Sequence, residues 1–218
     1  MQEIIKNNRL FKGLSAEDTE YALRFFDAAE QRFRKGAFFK RPEESAPRFG
    51  LVLSGSLQVY MDEPDGSRMV MATLGPGVIF AQAMSYLKKK EPVYIVATSE
   101  TKVLAMSPDR VCRPSKDPRD AVLSARFTAM LAETTLSMNR RIQVLSKLTI
   151  REKLLAFFAE VPGFSEGKTV ELTLNREDMA AYLGVNRSAL SRELSCLKKE
   201  GRIDYYRNSF RLLKDREV

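Results

Sequence analysis

The 218-residue chain contains no histidine. Imidazole acid–base catalysis, zinc sites built with histidine and histidine-ligated haem are therefore excluded. The largely histidine-built metal sites of jelly-roll cupin enzymes go with them. Cysteine is nearly missing too, with two residues in all. Cys112 and Cys196 cannot furnish the four thiolates of an iron–sulfur cluster within one chain, and such sparse, widely spaced thiols suit a reducing cytoplasm. Nothing around Cys112 in sequence signals a lowered thiol pKa. No apolar run approaches the ~20 residues of a bilayer helix, and the N-terminus lacks the basic-then-apolar pattern of a secretory signal. Gly75-Pro76-Gly77 is glycine-rich but has neither the lysine nor the spacing of a Walker-type phosphate loop, so it reads as a turn. These absences predict a soluble cytoplasmic protein that is not an enzyme, has no membrane partner and carries no haem, iron–sulfur cluster or zinc.

What the chain has in excess is positive charge. Its formal net charge of +8 points to an anionic partner, either nucleic acid or a membrane surface. The excess sits late in the chain: from Arg187 to Arg216 nine basic residues stand against four acidic ones, whereas residues 149–186 are slightly acidic. Within this region, residues 175–199 (NREDMAAYLGVNRSALSRELSCLKK) read as two short helices over a tight turn. Asn175 caps the first, with Glu177 and Asp178 in its first turn. Met179, Ala180, Tyr182 and Leu183 make its apolar face. Gly184 allows the turn, Val185 plugs the corner and Asn186 caps the second helix. There Leu190, Leu194 and Leu197 fall at i, i+4 and i+7 and must face inward, which throws Arg187, Ser188, Ser191, Arg192 and Ser195 outward. A helix-turn-helix needs that arrangement to put polar tips on base edges in the major groove.

The remaining chain supplies a second domain. Residues 1–30 are helical in pattern, with Ser15 as an N-cap and Asp18 three residues on. From Phe38 to Met106 the period changes to that of short strands. Gly50–Leu53 is an apolar run, Leu57, Val59 and Met61 alternate with polar residues, and Pro64-Asp65-Gly66 is a hairpin turn. Residues 81–87 are helix-like, and 93–97 and 102–106 are two more strands. Short strands with glycine turns suggest a small β-barrel or jelly roll. Residues 113–120 (RPSKDPRD) form a charged connector, followed by a long helix from Ala121 to Lys147. Thr149 and Glu152 make a capping box for the next helix, so the hinge is expected near Ser146–Leu148. A short strand at 170–174 leads into the helix-turn-helix, and a hairpin over 203–212 forms a wing. The fold class is thus α+β, with a jelly-roll sensor domain at 1–112, a connector and long helix at 113–147, and a winged helix-turn-helix at 148–218.

In its element order, and most specifically in LVLSGSLQVY, LGVNRSALSREL and KKEGRIDYYRNSFRLL, the chain resembles the Crp/Fnr superfamily of bacterial regulators. The resemblance implies a homodimeric, sequence-specific transcription regulator that binds a palindromic site in double-stranded DNA and works with RNA polymerase. Arg192 occupies the position whose arginine reads a guanine in that family. Ser191 matches the serine beside it in the fumarate-and-nitrate-type branch, and Arg187 matches an arginine of the cyclic-AMP branch. Ser188 replaces the glutamate common to both branches, so the half-site is expected to differ at that base. Asn186, Thr173, Lys198 and Asn208 are read as phosphate contacts, which position without specifying.

In the cyclic-AMP branch, Gly-Glu and Arg-Ser pairs hold the ribose and cyclic phosphate. By rough alignment Phe80 stands here where the acid would be and Glu91-Pro92 where Arg-Ser would be, and a carboxylate repels a phosphate. The signal is therefore expected to be another small molecule, with Phe80, Met84, Tyr86, Leu136, Ser137 and Arg140 as candidate pocket residues; plain core is the alternative for them. A constitutive regulator whose barrel is only a dimer scaffold is the competing function. On the long helix, Phe127, Leu131, Thr134, Met138, Arg141 and Leu145 step by four and three as a coiled-coil seam. That stripe covers either the helix's own barrel or its twin across a two-fold axis, and the resemblance favours the twin.

Overall fold

A computed structural model describes residues 2–172 and 174–213. They fall into two compact units, divided between Ala132 and Glu133.

The first unit begins with α1 (Gln2–Asn7) and α2 (Ala16–Phe25). Helix α2 starts where its cap predicts, with Ser15 Oγ accepting from the Asp18 amide at 3.0 Å and so satisfying a first-turn donor that has no helical partner. Strands β1 (Ala29–Phe33), β2 (Phe38–Lys40), β3 (Phe49–Ser54), β4 (Leu57–Asp62), β5 (Arg68–Leu74) and β6 (Ile79–Phe80) follow. Next come α3 (Gln82–Leu87), β7 (Tyr94–Ala97) and β8 (Thr101–Met106). The strands form two antiparallel sheets, ordered β1-β8-β3-β6 and β2-β7-β4-β5, the jelly roll that the turn spacing suggested. Strand β1 has no sign in the sequence. Its AEQRF lacks an alternating apolar face, and pairing with β8 from Ala29–Ala105 to Phe33–Thr101 creates it.

Between the sheets lie Val52, Leu57, Phe80, Ile95 and Val103, with Phe33, Phe39 and Met84 packed against them. Gly50 makes room for this core, because a Cβ there would stand 2.3 Å from the Phe80 ring and 2.8 Å from Val103 Cγ1. Lys40, 1% exposed, ends β2 with its ammonium donating to the carbonyls of Glu91 (2.7 Å), Arg41 (3.0 Å) and Val93 (3.2 Å). Burial holds its pKa below the usual lysine range, against the pull of Glu91, Glu44 and Glu43. A second core joins Phe25, Phe26, Phe49 and Met106 to Leu123, Phe127 and Met130 of α4 (Pro118–Leu145). The expected connector is shorter than 113–120. Asp117 accepts from the Arg119 amide at 2.9 Å, and Pro118 opens α4 in its first turn, where a missing amide forfeits no helical hydrogen bond.

The second unit runs from Glu133, so the expected segment 113–147 is not separate. Val144 of α4 lies in the second unit's core. Nearby, the Arg140 guanidinium pairs with Glu160 at 3.4 Å and that of Arg141 lies 5.4 Å from the Tyr182 ring centre. The unit continues with α5 (Ile150–Glu160), β9 (Thr169–Glu171), α6 (Arg176–Leu183), α7 (Arg187–Lys199), β10 (Ile203–Tyr206) and β11 (Ser209–Leu212). Both halves of the Thr149–Glu152 capping box are present. A small antiparallel sheet, β10-β11-β9, supplies the wing.

Candidate nucleic-acid interface

Helices α6 and α7 form from local signals and are locked by a shared core. The Asn175 side chain accepts from the amides of Glu177 (2.8 Å) and Asp178 (2.9 Å). Gly184 ends α6 at φ +61°, where a Cβ would also press Leu145 Cδ2 at 3.2 Å. Asn186 then opens α7 by accepting from the Ser188 amide at 2.8 Å. Leu190, Leu194 and Leu197 are fully buried with Met179, Leu183, Ile203 and Phe210, as the spacing requires. Arg187, Ser188, Ser191, Arg192, Ser195 and Lys199 are exposed on α7. Arg187, Arg192 and Lys199 meet no carboxylate within ion-pair distance among the described residues.

The acidic residues of α7 are held elsewhere. Arg151 of α5 donates to Glu193 (2.6 Å) and to both carboxylate oxygens of Glu200 (2.6 and 3.0 Å). These two carboxylates, Glu200 first, push its pKa up. One guanidinium thereby engages Glu193 of α7 and Glu200 at its C-terminal end and fixes the helix on α5. Sequence reasoning missed Arg151 because its partners lie 42 and 49 residues away. It missed Arg176 for the same reason. The Arg176 guanidinium sits 4.6 Å from the Phe210 ring centre and 5.0 Å from that of Tyr205, and it donates to the Arg207 carbonyl at 2.8 Å. This props the wing turn, where Arg207 takes φ +52°.

Three of the expected phosphate contacts can be placed. Asn186 uses its carbonyl oxygen as the cap and also accepts from Ser188 Oγ at 2.7 Å, so the Ser188 hydroxyl is engaged within the helix N-terminus. Asn208 lies in the wing turn, where its carbonyl accepts from the Leu172 amide at 2.9 Å. Lys198 is not a free cation: it pairs with Asp204 at 2.6 Å and donates to the Tyr205 carbonyl at 3.1 Å. This bond holds the Asp204 carboxyl below its ordinary range. Thr173 lies outside the described residues.

The candidate effector and seam residues divide differently from expectation. Phe80 is 5% exposed and meets Phe39 edge-on at 4.8 Å, so with Met84 it belongs to the barrel core. Tyr86 is exposed at the protein surface, its ring 5.7 Å from that of Phe127. Leu136 is exposed on α4, whereas Ser137 and Arg140 line a cleft inside the second unit. Of the seam residues, Phe127 is fully buried in its own barrel's core and Leu131 packs beside it. Thr134 is half-buried, and Arg141 is turned to Tyr182. Phe127 is thus taken up by its own barrel, whereas Arg141 is exposed. The exposed apolar stripe is instead Met138, Ile142 and Leu145, one residue out of register with the expected seam at Ile142.

Two family models match this arrangement: the cyclic nucleotide-binding domain over residues 30–113 and the Crp-like helix-turn-helix domain over residues 133–217. The chain belongs to the Crp/Fnr superfamily. It is a Crp-like transcription regulator with a helix-turn-helix DNA-binding domain, in a family that is non-enzymatic in general. The helix-turn-helix match begins at the residue where the second unit begins. The chain is similar to the cyclic AMP receptor protein of Thermus thermophilus, at 26% identity over 90% of this chain and 88% of that one. It is 24% identical to a CRP-like cAMP-activated global transcriptional regulator of Mycobacterium tuberculosis, over 92% and 90% of the two chains. Among solved structures it resembles the c-di-GMP responsive global regulator CLP of Xanthomonas campestris, with TM-score 0.57, 18% identity and coverage of 92% and 100%. FixK2 of Bradyrhizobium japonicum gives 0.52, 21%, 87% and 94%. At these identities the structural likeness speaks for the fold. No helix among the described residues is long and apolar enough to cross a membrane.

Proposed function

We propose that this Crp/Fnr member is a homodimeric, sequence-specific regulator controlled by a small molecule other than cyclic AMP. The observation that carries the DNA half is the exposed serine–arginine face of α7, whose arginines meet no carboxylate among the described residues while Glu193 and Glu200 are held by Arg151. Arg192 there can offer two parallel donors to guanine O6 and N7. The dimer rests on Met138 (62% exposed), Ile142 (63%) and Leu145 (36%), which step along α4 by four and three and need covering. A two-fold pair would read a palindrome one helical turn apart. RNA polymerase as a further partner rests on the family alone.

Relatives are described as cyclic AMP receptors, but the rough correspondence drawn from the sequence puts Phe80 and Glu91-Pro92 of this barrel where that branch holds the ribose and phosphate. Phe80 fills core space there, and Glu91 presents a carboxylate on a segment tied down through its carbonyl by Lys40. The packed barrel interior also favours a second reading, in which DNA binding is constitutive. Selection of a DNA site from a random pool, followed by titration of wild type and Arg192→Ala on it, tests the proposal. Equal affinity and equal base preference would sink the recognition-helix assignment. Full-strength binding that no metabolite alters would favour the constitutive reading.

A further inference from the structure

A cleft of about 380 Å³ opens in the DNA-binding unit, within the size range of small-molecule sites. Ser137 and Arg140 of α4 form one wall, and the rest combines the carboxylates of Glu160 and Glu171 with an apolar surface that includes Phe157 and Tyr182. Phe157 and Tyr182 meet edge-on at 5.4 Å, which fixes an aromatic wall. The polar groups are unbalanced. Arg140 is matched by Glu160 at 3.4 Å, and Arg141 lies over the Tyr182 ring at 5.4 Å. Glu171, also lining the cleft, meets no cation within ion-pair distance among the described residues. A partly open cleft with an aromatic wall, one internal ion pair and one exposed carboxylate that meets no cation is complementary to a hydrophobic body bearing one ammonium.

We propose that this cleft binds a hydrophobic amine, an aromatic or branched apolar group carrying a single ammonium that pairs with Glu171. Its occupant would touch α4, α5, β9 and α6 together and so tie the end of the long helix to the helix-turn-helix. The proposal deepens the regulator reading by placing its signal in the DNA-binding unit.

Tryptamine is the probe and indole-3-acetate its anionic control, measured by calorimetry and thermal shift on the full chain. Tryptamine should bind saturably, in the millimolar range expected of a dozen-atom ligand, and indole-3-acetate should not. Glu171→Gln, which keeps the shape, should weaken tryptamine about tenfold. Ser137→Trp, at an exposed position on α4, should fill the cleft and abolish binding. Binding of the acid as tight as that of the amine, indifference to both substitutions, or no binding of tryptamine at all overturns the proposal. Each sample is also titrated with a selected DNA duplex. If DNA binds while tryptamine does not, the cleft assignment fails and the regulator reading stands. If tryptamine binds and no DNA does, the regulator reading fails instead.

Discussion

Single residues carry the sharpest consequences. Arg192 is exposed and unpaired, so Arg192→Ala should cost ~1–3 kcal/mol of DNA binding and relax preference at one base of each half-site. Lys198 behaves otherwise, because Asp204 already neutralises it. Asp204→Asn should release that ammonium, strengthen binding to all sequences alike and steepen the salt dependence by about one contact. An unchanged salt slope would mean that Lys198 does not face phosphate. Lys40 is the buried counterpart. Lys40→Met would leave the carbonyls of Arg41, Glu91 and Val93 without this donor, and a loss of about 3 kcal/mol from the barrel is expected in denaturant titration. The pH dependence has a definite sign. The native pKa is below that of the unfolded lysine, so between the two values the unfolded chain binds more protons and stability rises with pH. The window is the alkaline one below about pH 10.4, and there the gap between wild type and Lys40→Met should widen as pH rises.

At the scale of elements, long-range packing sets the register of α4. Apolar residues occupy more than one stripe of this helix, and a stepping rule that starts at Phe127 selects the stripe that its own barrel buries. The outward stripe then passes through Ile142 rather than Arg141, whose guanidinium lies over Tyr182. Ile142→Asp should therefore sediment as a folded monomer, since like charges would meet across a dry seam. A dimeric Ile142→Asp would disprove the proposed seam through Ile142. Phe127→Asp should instead unfold the barrel. Strand β3 gives a parallel case: Gly50→Ala would drive a methyl into the Phe80 ring, and a melting point reduced by several degrees is expected. The glycine was visible in the sequence as part of an apolar run, but its reason was not, because Phe80 reaches it only through the β3–β6 pairing.

For the molecule as a whole, cyclic AMP should neither raise the melting temperature nor change DNA affinity; saturable micromolar binding in calorimetry would contradict the account of Phe80 and Glu91. The order of elements apart from β1, the jelly roll, the caps at Ser15, Thr149, Asn175 and Asn186, and the inward Leu190–Leu194–Leu197 stripe could be read from residue types alone. Each is a short-range matter: a cap satisfies amides two or three residues away, and periodicity assigns a face within one element. The sequence likewise named the serine–arginine face of α7, because burying the leucines leaves those residues no other direction. Partners tens of residues apart had to come from the folded chain. They include Arg151 with Glu193 and Glu200, Arg176 beneath the wing, Lys198 with Asp204, and Lys40 among three carbonyls. The division at Ala132–Glu133 belongs with them. A continuous helix shows no break in its own sequence, and only the cores that bury Phe127 on one side and Val144 on the other determine which part of it each unit holds.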